Sequence, residues 1–99
     1  MLLIVGTVRL PVENLDVARP AMERMVEASR AEPGCLLYAY AEDLFDRGLI
    51  RVTEIWADQV ALDRHFAAAH LAEWRAAWPA LGLGDRNLML YETATSRAI

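Results

Sequence analysis

His65 is the side chain best suited to chemistry in this sequence. It falls on an apolar helical stripe with Ala61, Leu62, Phe66 and Ala69. An imidazole there titrates near neutral pH and can take a proton from a bound group. A histidine packed against a strand carbonyl or Glu54 fits the same spacing. Glu54 lies mid-strand, with Val52 and Trp56 on its own face. A half-buried carboxylate needs a partner. It either orients His65 in an acid–base relay or pairs structurally with Arg51, Arg75 or Arg86. Trp56, Trp74 and Trp78 are many tryptophans for so short a chain. With Phe66 they can wall an aromatic-binding pocket, or they are core and interface rings. Tyr38 and Tyr40 share one strand face, either to hold a ligand oxygen or to line an interface.

Other chemistries lack their residues. His65 and His70 are five apart, whereas a metal pair on one helix face needs four, and no third ligand is evident. No metal is therefore expected. Cys35 is the only cysteine, which excludes an internal disulfide and fits a cytoplasmic protein. No phosphate-cradling glycine loop or nucleophile elbow is present. The net charge is −4, from 10 basic and 14 acidic residues, without a basic cluster. Nucleic acid is thus not an expected partner. No run approaches the ~20 apolar residues of a membrane span. Met1 to Val5 reads as a strand and not as a signal peptide.

The elements that must position these residues follow from pattern. Residues 2–10 are rich in Leu, Ile and Val and predict a first strand, in which Gly6 marks a bulge or a close backbone approach. After a turn at 11–14, Leu15, Ala18, Met22, Met25, Val26 and Ser29 recur at helical spacing. Pro20 places the firm helix start anywhere from 15 to 20, and Glu32-Pro33-Gly34 ends the helix. Residues 35–42 and 49–57 predict a hairpin pair of strands. Asp58 caps the helix that carries His65. A second short helix carries Leu71, Trp74 and Trp78 and closes at Pro79, Gly82 and Gly84. Residues 86–94 predict the last strand. The order β-α-β-β-α-α-β gives one ferredoxin-like α+β domain over residues 1–99, a four-stranded antiparallel sheet with helices on one face. At 56% apolar residues, this thin domain has greasy side chains to spare. A second copy covering the bare face, or an apolar ligand, would absorb them.

As an ordered set, Glu32-Pro33-Gly34-Cys35-Leu36 with Tyr38, then Glu54 and Trp56, Asp58, Ala61-Leu62 with His65, and His70, resembles the antibiotic biosynthesis monooxygenase domain, including its small quinol monooxygenase group. The resemblance covers nearly the whole chain. It implies a homodimeric α+β barrel, formed by two facing sheets, with a cleft between sheet and helices in each subunit. It implies oxygenation of phenolic, quinol or anthrone-like compounds by O2 without metal, flavin or haem. In that reading His65, with Glu54, removes the proton, and Tyr38, Trp56, Phe66 and Trp74 surround the ring. The haem-cleaving branch uses an Asn, a Trp and a His where Thr7, His65 and Arg75 stand here, which argues against haem degradation. A non-catalytic small-ligand or stress-response barrel, or a furanone-degrading or isomerase-type relative, is the alternative.

Overall fold

Alternation of apolar and polar residues drives the strands, and their pairing builds the sheet that carries the site. The computed structural model describes all 99 residues. Its strands are β1 (Leu2–Arg9), β2 (Cys35–Glu42), β3 (Leu49–Trp56) and β4 (Gly84–Glu92). They form one antiparallel sheet in the order β2-β3-β1-β4. Helix α1 (Leu15–Arg30) crosses from β1 to β2, and α2 (Gln59–Phe66) and α3 (Ala69–Leu81) link β3 to β4. This is the ferredoxin-like arrangement expected from the element order.

Period-two geometry sends alternate residues to opposite faces of the sheet. Leu2, Ile4 and Val8 of β1, Ile50, Val52, Glu54 and Trp56 of β3, and Tyr38 of β2 are all buried. They pack with Leu15, Ala18, Met25, Leu62, Leu71 and Trp74 of the helices in two adjoining clusters. Burying these side chains is the main stabilising term, about 25 cal/mol per Å² of apolar surface. The opposite face carries Leu37, Val5, Ile55, Met89 and Tyr91 by register. Nothing in the chain covers it, and Val5, Leu37, Met89 and Tyr91 are exposed.

Several boundaries differ from the sequence reading. Helix α1 begins at Leu15, the early end of the expected range, and runs through Pro20. A 3₁₀ turn at Val12–Asn14 leads into it, and Asn14 Nδ2 donates to Leu81 O at 2.8 Å. Pro20 is exposed and close to the helix start, so solvent can serve the carbonyl it leaves unpaired. Strand β4 begins at Gly84, before the expected residue 86, and ends at Glu92. A register shift between Cys35 and Leu37 turns Leu36 outward, away from the face of Tyr38 and Tyr40. Gly6 is a close approach: a Cβ there would lie 1.9 Å from Asn87 O across the β1–β4 pair.

Candidate active site

Three local structures bring the site together. On β3, Glu54 and Trp56 share the helix-facing side, and register places Tyr38 of β2 directly opposite Glu54. Asp58 caps α2 by accepting from Ala61 N at 2.8 Å, which fixes the helix that presents His65 at its C-terminal end. Gly34, with φ +82°, turns the chain out of α1 and lies so close to Ala61 that an added Cβ would sit 2.5 Å from Ala61 Cβ. This left-handed turn seats Glu32 beside the junction of α2 and α3.

His65 is only 2% exposed. Its Nδ1 donates to Glu32 Oε2 at 2.6 Å, a charge-assisted geometry. The same oxygen accepts from His70 Nε2 at 3.2 Å. On its other side His65 Nε2 lies 4.0 Å from Glu54 Oε1, which accepts from Trp56 Nε1 at 3.0 Å. The imidazole is held between rings, with centroids 4.6 Å from Trp56 and 5.3 Å from Tyr38. Burial pushes the Glu54 carboxyl above its ordinary range, against the opposing pull of the Trp56 N–H, His65 and Arg86. Burial likewise pushes the Tyr38 and Tyr40 phenols upward, so both stay protonated at neutral pH.

The predicted residues do not all line one cavity. Tyr38, Glu54, His65 and Phe66 border a cleft with Tyr40, Trp78, Arg75 and Arg86. Its volume is about 20 Å³, enough for roughly one water and not for an aromatic ring. Phe66, Arg75 and Arg86 on its outer side are exposed, so surface side chains close it. Trp56 and Trp74 stand behind the cleft in the core, 0% and 2% exposed. A larger hollow of about 310 Å³ lies elsewhere, between α1 and edge strand β2, and contains neither His65 nor Glu54.

Of the ion-pair partners open to Glu54 in the sequence, none is within salt-bridge distance; its near neighbours are Trp56 and His65. Glu32 is the site residue that sequence reasoning missed. Glu32-Pro33-Gly34 reads as a helix terminator, and only the fold brings residue 32 to residues 65 and 70. Glu32, His65 and His70 place one carboxylate oxygen and two ring nitrogens within 4.8 Å of one another. These donor types also suit a divalent cation; here they satisfy each other through the two hydrogen bonds.

The arrangement is paralleled in known proteins. The sequence profile described as antibiotic biosynthesis monooxygenase matches residues 1–77. A Deinococcus radiodurans protein assigned to that group superposes with a TM-score of 0.91 at 29% identity, over 100% of this chain and 98% of its own. A Mycobacterium tuberculosis protein shares the fold with a TM-score of 0.82 at 21% identity, over 98% of each chain. An uncharacterised Synechocystis protein is 24% identical over 98 residues, which are 99% of this chain and 67% of that protein. With its profile match running from β1 into α3 and spanning Glu32, Glu54, His65 and His70, this chain belongs to the antibiotic biosynthesis monooxygenase family.

Proposed function

We propose that the chain is a cofactor-independent monooxygenase acting with O2 on a small phenolic, quinol or anthrone-like substrate. The observation that carries this reading is the buried His65, whose Nδ1 is bonded to Glu32 while Nε2 is directed to the Glu54 side of the cleft. A carboxylate that accepts from Nδ1 puts the neutral ring's proton there and leaves the Nε2 lone pair as the base. Glu32 thus orients the base, as the third member of a catalytic triad does.

His65 Nε2 takes the acidic proton of the substrate. The resulting anion passes one electron to O2, giving an organic radical and superoxide. The two combine through a new C–O bond into a peroxide anion, which takes the proton back from the His65 imidazolium. For an anthrone, loss of water from the hydroperoxide then yields the ketone, so that the ring methylene and O2 become a ring carbonyl and water. Protonated Tyr38 holds the substrate oxygen in this reading. Glu54, held by Trp56, faces the imidazolium as a nearby acceptor. Phe66 meets the ring, with Trp56 and Trp74 as the rigid backing. Surface side chains move aside to admit the ring, and water is excluded once it is seated.

The chain acts as a homodimer in this reading, with the exposed sheet face of Val5, Leu37, Met89 and Tyr91 covered by a second copy. No helix is long and apolar enough to cross a membrane, and lone Cys35 suits the cytoplasm. The alternative reading is a ligand-binding barrel without turnover, or a furanone-degrading or isomerase-type member.

Oxygen uptake with a panel of hydroquinones and anthrones separates the two. Wild type is expected to consume O2, and His65→Ala to lose about 10²-fold or more in rate. No uptake by wild type across the panel sinks the oxygenase reading. Equal uptake by both proteins removes His65 from it. Imidazole ¹⁵N shifts supply a check without turnover: His65 is expected as the Nδ1–H tautomer in wild type, and Glu32→Gln is expected to disturb it.

A further inference from the structure

We propose that the substrate carries a carboxylate on its aromatic framework, and that Arg75 and Arg86 at the cleft mouth, with the buried Trp78 indole N–H, bind it. The inference rests on the cleft being the substrate site and names the class of compound it takes.

The first observation is an unanswered donor. Trp78 Nε1, like Trp74 Nε1 in the core, is buried from solvent and has no acceptor. A buried N–H without a partner is costly, and a native structure that keeps one calls for an explanation. Trp78 borders the cleft.

The second is a pair of unpaired cations. Neither Arg75 nor Arg86 forms a salt bridge; of the ten arginines only Arg9, Arg24 and Arg51 do. Arg75 instead lies 5.9 Å from the Trp78 ring centroid and 5.8 Å from that of Phe66. Arg86 lies 6.0 Å from the Trp78 ring centroid. Two guanidiniums near one indole repel each other, and a nearby anion relieves this. A guanidinium without a carboxylate partner keeps its N–H fork available, which matches the two oxygens of a carboxylate.

The third is the distribution of charge along the cleft. Its only acidic lining residue is Glu54, already accepting from Trp56. His65 and Tyr38 lie in the buried part, and both arginines are exposed. A hydroxylated ring bearing a carboxylate satisfies both ends at once. Its hydroxyl meets the base, and its carboxylate stays at the mouth among the donors.

The test is a binding comparison in the full chain under anaerobic conditions, read by tryptophan fluorescence. The probes are 6-hydroxy-2-naphthoate and 2-naphthol, which differ by the carboxylate alone; in the former the hydroxyl and the carboxylate sit at opposite ends of the ring system. Hydroxynaphthoate is expected to bind about tenfold or more tightly, and added salt to shrink the gap. Arg75→Gln and Arg86→Gln are each expected to remove most of that advantage, read as the ratio of the two probes' affinities within each variant. Circular dichroism verifies that these surface variants are folded. Equal affinity of the two probes, binding of neither, or an advantage that survives the double variant overturns the proposal. Carboxylate preference with no oxygen uptake by any hydroxylated aromatic would keep the docking site and discard the oxygenase reading. Uptake with no such preference would do the reverse.

Discussion

Glu54 is a carboxylate set where a protein interior resists charge. Because burial raises its folded pKa, its contribution to stability is fully present below the unfolded Glu value, about 4.3, and is lost as pH rises through the folded one. Glu54→Gln keeps an oxygen for the Trp56 N–H and removes the charge. The variant is therefore expected to melt higher than wild type at pH 8 and to lose that lead near pH 4. A variant that melts lower at pH 8 would show that the charge is needed for packing. Residue-scale reading of the sequence found Glu54 and His65 because each sits on a recognisable stripe. It missed Glu32, 33 residues from His65 in sequence, because that contact depends on where α1 ends relative to the α2–α3 junction. Arg75 and Arg86 were named only as possible partners of Glu54: exposed positions carry no periodic signal that would mark them as cleft residues.

Among the elements, turns and caps set the geometry. Gly34 combines a left-handed φ with contact to Ala61, so the Glu-Pro-Gly-Cys run is both the stop of α1 and the spacer that seats Glu32. Losing the cap in Asp58→Ala is expected to cost about 1 kcal/mol. Gly6→Ala is harsher, because the new methyl meets backbone at Asn87 and Leu88 on the neighbouring strand. About 2–3 kcal/mol of destabilisation is expected. Urea unfolding measures both, with the midpoint falling and the slope unchanged. A Gly6→Ala midpoint equal to wild type would mean that β4 yields easily. Strand periodicity and capping residues made the element order readable. The ends of β4 and the start of α1 were less so, since Gly84 and Pro20 break structure locally while pairing and packing carry the elements past them.

For the whole molecule, the decisive surface is the uncovered side of the sheet. If a second copy covers it, sedimentation at micromolar concentration should give twice the 11.1 kDa chain mass. Introducing charge by Leu37→Glu with Met89→Lys should yield monomers that keep the native far-ultraviolet spectrum. Wild type sedimenting as a monomer would contradict the covered-face reading.

The order of strands also bears on how the chain reaches this state. Strand β1 is made first yet lies between β3 and β4, and Leu2 pairs with Glu92 at the other end of the chain. One flank of the earliest strand therefore waits for the last to be synthesised. Pairing so distant in sequence makes for slow loop closure. Until it happens, an apolar edge is open to pairing with other chains. Shortened chains lacking residues 84–92 should accordingly clump instead of folding.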